Sequence, residues 1–262
     1  MTCNKQPIVR LLALLFLVVM QGCATERPDP NKQKRDEAIA LYEKNCQQAG
    51  EKIYRTADRV QGLFLIKARP NKNNFDDQYE LSDPYGYDVG GDGYIISFLQ
   101  KYDHGKVVMD TGGFGYVDII NPKDGMRYRY TGYIDQPWLR DKKYAEWVRD
   151  FSLHKVLAPN APLPRYGVTY DDISTHEDRE HWIAGSSLKV VDLQTNEVMA
   201  ERVGYMIDTG QGDKSGGRSP WLMAAYHACP KFPTNFGTNH PFQLDQARRF
   251  VAKVLRPNFD LE

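Results

Sequence analysis

Neither sign of charge is in excess along this 262-residue chain: Lys+Arg and Asp+Glu each number 34, so the formal net charge is zero. A phosphate-binding face needs surplus Lys and Arg, and the balance argues against nucleic acid as a partner. Long hydrophobic runs are equally scarce. Mean hydropathy is −0.59, and only Leu11–Met20 forms an apolar run of note, which excludes a polytopic membrane protein. Cysteines number four, with no Cys-x-x-Cys among them, so neither a thioredoxin-like redox site nor a zinc knuckle is signalled. There is no Gly-x-Ser-x-Gly elbow to suggest serine catalysis, and no internal repeat of a solenoid or propeller. What is present is 41% apolar and 12% aromatic residues, too many for a disordered chain.

The amino-terminal segment reads as an export signal. Lys5 and Arg10 supply positive charge ahead of the uncharged run LLALLFLVVM. As a helix that run spans about 15 Å, roughly half a bilayer core, which fits a cleaved signal better than a retained span. It ends in Met20-Gln21-Gly22-Cys23, which resembles the lipobox of bacterial lipoproteins. The resemblance implies cleavage before Cys23, diacylglycerol on its sulfur and acylation of the new amino group. Residues 1–22 are thus expected to be the signal peptide and 23–34 a lipidated tether, since ERPDPNKQK is polar and carries two prolines. Ala24 and Thr25 follow the cysteine. The absence of aspartate there implies, by the same resemblance, the outer membrane with the protein facing the periplasm. In general organisation the mature region is similar to proteobacterial lipoproteins of uncharacterised function, and no catalytic residue carries over from them.

Cys3 leaves with the signal and Cys23 takes lipid, so Cys46 and Cys229 remain. An even remainder in an oxidising compartment predicts one disulfide; two separately buried thiols are the alternative.

Residues 35–262 are expected to form a single α+β domain, with a mostly antiparallel sheet and helices at both termini. The spacing predicts a helix over Asn31–Gln48, with Gly50 at its C-cap, and an amphipathic helix over Leu244–Leu255 ended by Pro257. Ile53–Thr56 and Leu63–Ile66 are predicted strands, the second central. Tyr116–Ile120 and Met126–Thr131 flank Asn-Pro-Lys-Asp-Gly and predict a hairpin. Leu188–Leu193 and Val198–Ile207 predict a second one, and Lys142–Phe151 a short helix.

Three stretches carry residues suited to chemistry. Asp83, Asp88 and Asp92 sit in a glycine-rich run, the composition of a calcium loop, but the EF-hand pattern fails and tight turns use the same residues. Asp171–Trp182 holds Asp172, His176, Glu177 and His181. A zinc-protease helix needs its histidines four apart; these are five apart, about 140° around a helix, leaving a looser acid–base or metal site as the chemical expectation. Thr209–Ser219 contains Lys-Ser among glycines, yet Asp213 replaces the glycine that a phosphate loop requires, and a mobile surface loop is expected. The functional expectation is a lipid-anchored, non-enzymatic binding protein with a protein or envelope component as ligand. It needs no cofactor beyond the covalent lipid, and the membrane is contacted through that anchor. The alternative is a periplasmic hydrolase using the Asp171–His181 cluster, with or without a metal.

Overall fold

A computed structural model describes residues 31–72, 75–86, 88–99, 113–234 and 239–258, together with the backbone of 102–103 and 106–107. The export signal and Cys23 lie outside the described residues. A compact unit spans Lys34–Glu262. Among the described residues no helix is long and apolar enough to cross a membrane.

The first helix, α1 (Lys32–Cys46), is mostly polar; it buries Ala38 and rests Leu41, Tyr42 and Cys46 on the sheet. Three short strands follow: β1 (Gly50–Ile53), β2 (Ala57–Val60) and β3 (Gly62–Leu65). Gly50 opens β1 instead of capping α1, and the predicted Ile53–Thr56 strand is displaced toward the amino end. Beyond Ile53, Tyr54 and Arg55 both turn their N–H groups onto the Met199 carbonyl. Helix α2 (Asp92–Phe98) and the strand pair β4 (Tyr102–Asp103) and β5 (Lys106–Val107) come next.

The predicted first hairpin is β6 (Tyr116–Ile120) with β7 (Arg127–Asp135), in the register Val117↔Tyr130 to Ile120↔Arg127. Its turn closes because Gly125 N–H donates to the Asn121 carbonyl at 2.8 Å and Met126 N–H to Asp124 Oδ1 at 2.9 Å. Lys142–Phe151 is not a helix. The segment turns and enters β8 (Asp150–Leu157), which pairs along β7 from Asp135↔Asp150 to Tyr128↔Leu157. From Phe151 the side chains alternate, and Phe151 and Leu153 pack on the core, so tertiary pairing overrides local helix propensity. A Cβ on Gly132 would overlap the Phe151 ring; the glycine lets that ring lie flat across β7.

β9 (Tyr166–Asp172) leads through the single turn α3 (His176–Glu180) to the second hairpin, β10 (Ile183–Asp192) and β11 (Glu197–Ile207). Helix α4 (Pro220–Ala224), β12 (Ala228–Cys229), α5 (Gln243–Val254) and β13 (Leu255–Pro257) complete the chain. Pro257 therefore ends a strand, paired parallel with β2.

The main sheet runs β1-β11-β10-β9-β3-β6-β7-β8, and β12 joins β11 beside β1. Pairing is antiparallel except around β3, which is parallel to both β6 and β9. The architecture is α+β. Alternate residues of the long hairpin divide between the faces: Ile183, Tyr205 and Ile207 meet α1, while Ala184 and Met206 meet Trp221 and Ala224 of α4. The largest cluster joins Leu63, Val117 and Val190 of the sheet to Tyr94 and Phe98 of α2 and Phe250 and Val254 of α5. A disulfide links Cys46 to Cys229, with Cα atoms 5.7 Å apart and 183 positions between them in sequence. It ties the end of α1 to β12.

Candidate functional site

β3, β9 and β11 run in one direction, so the chain leaving each of them emerges at the same end of the sheet. There the segments after these strands pack on one another. Trp221 Nε1 donates to the Asp77 carbonyl at 2.7 Å, Gln211 Nε2 to the His181 carbonyl at 2.8 Å, and Asp208 N–H to the Trp182 carbonyl at 3.0 Å. Trp182 and Trp221 lie with ring centroids 5.0 Å apart. Here the sequence's second and third candidate stretches meet.

Each segment is locked by an aspartate–arginine pair. Arg69 Nη2 donates to Asp83 Oδ2 at 2.8 Å with both side chains buried, and Ser186 Oγ donates to the same oxygen at 2.9 Å. The Arg69 guanidinium lies 4.1 Å from the Tyr170 ring centroid, and a Cβ on Gly86 would collide with it. Arg179 Nη2 donates to Asp172 Oδ2 at 2.5 Å. Asp208, wholly buried, accepts from Gly210 N–H at 3.0 Å and Gly212 N–H at 2.8 Å, and both terminal nitrogens of Arg218 close on it. The Thr209–Ser219 segment is a surface loop, as expected, with Asp213–Gly217 exposed, but it is anchored on a buried carboxylate through Gly210, Gly212 and Arg218. Sequence reading missed this pair because Asp208 ends a strand and Arg218 lies ten positions later; nothing local marks them as partners.

The glycine-rich aspartates do not converge. Asp83 belongs to Arg69. Asp88 accepts Leu244 N–H at 3.0 Å, capping α5 from a distant loop, and burial pushes its carboxyl up to about 6 despite the backbone hydrogen bonds that favour the charge. Asp92 begins α2. Among the described residues no group of three or more His, Cys, Asp and Glu side chains is placed to hold a metal ion.

The Asp171–His181 stretch is dispersed as well. Asp171 bridges Lys67 at 3.0 Å and Lys189 at 3.3 Å, and hydrogen bonds from these, Lys67 foremost, hold its carboxyl below the usual range. Thr175 and Asp178 form a reciprocal capping box that starts α3. His176 is 77% exposed, stacked on Tyr79 with Nε2 3.3 Å from Glu180; Glu177 is exposed. His181 closes the other end of α3, its Nδ1 buried with no hydrogen-bond partner among the described residues. Next to it Trp182 holds φ 52° and Gln211 φ 50°, left-handed values that cost energy for such side chains.

A different surface stands out at the opposite flank of the sheet. Among the described residues β8 is the last strand of its side, and no other described strand pairs with its outer row of backbone donors and acceptors. The β7–β8 connection carries Leu139 at 60%, Tyr144 at 51% and Trp147 at 80% exposure. Its shape is fixed by Arg140, which grips Asp135 with both terminal nitrogens, and by Lys142 Nζ 4.5 Å over the Trp138 ring. The sequence signal for it was present, an aromatic-rich run between charges, but the helical reading of Lys142–Phe151 hid it.

No protein-family model, no curated protein and no solved structure matches this chain.

Proposed function

We propose that this chain is a lipid-anchored protein of the outer membrane, facing the periplasm, that binds a protein partner and does not turn it over. The anchor reading rests on Met20-Gln21-Gly22-Cys23, and the Cys46–Cys229 disulfide fits an oxidising compartment. The observation that carries the binding reading is the β7–β8 hairpin. A tryptophan four-fifths exposed costs solvation unless something covers it, and clustered exposed aromatics are the usual core of a protein interface. The occupant is a polypeptide because the open side of β8 offers backbone groups that another strand satisfies in register, as neither a sugar nor a lipid does.

The hydrolase reading gains nothing comparable. Asp172 is held by Arg179, and His176 and His181 sit at opposite ends of α3.

Two measurements test the proposal. Radiolabelled palmitate enters the full chain and fails to enter Cys23→Ser; equal labelling, or none in either, overturns the anchor. Chemical crosslinking in intact envelopes gives a saturable adduct with a discrete protein that is lost in Trp147→Ala and Tyr144→Ala and kept in Lys123→Glu. An adduct indifferent to the aromatic changes removes the hairpin from the function.

A further inference from the structure

On the face carrying α5, a cleft of about 450 Å³ opens between that helix, the β1–β11 edge and the segment that follows β12. Its volume lies in the range of small-molecule pockets. Its charge is unlike that of the chain as a whole. Arg202, Lys231, Arg249 and Lys253 line it against one carboxylate, Glu51, an excess of three positive charges in a protein whose formal net charge is zero.

The pairing within the cleft leaves that excess available. Lys253 Nζ binds Glu51 Oε2 at 2.8 Å. Arg202 is buried; its Nη1 donates to the Tyr85 hydroxyl at 3.2 Å, while its Nε stands 3.6 Å from Glu51 Oε1 and makes no hydrogen bond among the described residues. Arg249 uses Nε on Asp245 at 2.5 Å, a carboxylate shared with Arg248. Lys231 is exposed and has no ion-pair partner among the described residues. The accessible apolar lining is Pro230 and Pro233, while Phe232 and Phe250, which also border the cleft, are largely buried.

We infer that this cleft is a binding site for a compact anion, a carboxylate or phosphate ester, attached to an apolar body. The cations neutralise the head, with guanidinium and ammonium groups suited to either oxyanion, and Pro230 and Pro233, with the edge of Phe232, meet the body. Of the four cations only Arg202 is withdrawn from water; Arg249 and Lys253 are 65% and 61% exposed and Lys231 is exposed, so their attraction for an anion is screened by salt. The inference stands on the cleft alone and does not depend on the lipid anchor or the hairpin.

Isothermal titration of phenyl phosphate into the full chain in nonionic detergent tests it. The expected result is one saturable site whose affinity falls with salt, falls on the order of tenfold in Lys231→Glu and in Arg249→Gln, and is unchanged in Lys123→Glu and Trp147→Ala. Benzyl alcohol, lacking the anion, does not compete. Melting temperatures of the variants establish that each is folded. Displacement by dihexanoyl phosphatidylglycerol identifies a lipid headgroup as the source, and failure of that displacement identifies a soluble ester; either supports the site. Absence of saturable heat, or affinity indifferent to Lys231→Glu and Arg249→Gln, overturns it. Loss of binding in Trp147→Ala would place the ligand on the hairpin and also overturn it.

Discussion

The carboxylate of Asp83 and the guanidinium of Arg69 meet at 2.8 Å in the interior, 2% and 4% exposed. Burial pushes the Asp83 carboxyl up, against the pull of Arg69 and Ser186, so the pair is a constraint more than a source of stability. Removing one partner strands the other. Asp83→Ala and Arg69→Ala are each expected to lower unfolding free energy by about 3–5 kcal/mol in urea titrations. The apolar double replacement Arg69→Met/Asp83→Leu should recover much of the loss. If both singles stay within about 0.5 kcal/mol of the parent, the pair does not organise the loop after β3.

Asp88 gives a pH dependence of defined sign. Its folded value of about 6 lies above the ordinary 3.8, so between these limits the folded state holds more protons than the unfolded one. Stability then falls as pH rises from 4 to 6, by up to about 3 kcal/mol. Asp88→Asn keeps an acceptor for Leu244 N–H and should flatten that slope, gaining stability above pH 6. A variant with an unaltered slope would assign the dependence to other groups.

Loss of the Cys46–Cys229 crosslink enlarges the unfolded ensemble. For a loop of 183 residues the chain-entropy relation gives about 5 kcal/mol as an upper figure. Cys46→Ser/Cys229→Ser, or reduction with dithiothreitol, should shift the denaturation midpoint accordingly. Coincident curves with and without reductant would show that the bond does not stabilise the fold.

Asp208 and Arg218 make a fourth test. Arg218→Ala leaves a wholly buried carboxylate with only backbone donors and should release the wrapped segment. Trypsin cleavage after Lys214 is the readout, and it should accelerate before global unfolding, since local opening governs such cuts. A cleavage rate equal to the parent's would mean that the glycine N–H groups alone hold the loop.

Trp147→Ala is expected to leave the melting temperature unchanged, because the side chain is largely in solvent already. The same change should abolish the hairpin's crosslinked adduct. A large drop in melting temperature would instead assign Trp147 a packing role.

Much of the framework was legible because it is locally encoded. The Asn121–Gly125 and Gln194–Glu197 turns announce their hairpins through residues that suit tight turns, and Leu244, Phe250, Val251 and Val254 mark α5 by helical spacing. The start of β8 falls inside the expected Lys142–Phe151 helix, and only the pairing of Asp150 and Phe151 with Asp135 and Ile134 of β7 decides otherwise. The parallel placement of β3 between β6 and β9 has no local signature at all. The same holds for the sites: Arg69 with Asp83, Asp88 with Leu244, and the cations of the α5 cleft come from separate elements, so only the fold brings them together. The Asp171–His181 cluster was a proximity of sequence that the capping of α3 pulls apart.

The crosslink at Cys46 also governs how the domain bears load. Tension applied from the amino end can unwind α1 only as far as Cys46. Beyond that point the pull passes through a covalent bond to Cys229, in a strand seated beside Tyr205 of β11. Force therefore enters through β12 at the β11 side of the sheet, and β1 is spared from being peeled off one hydrogen bond at a time.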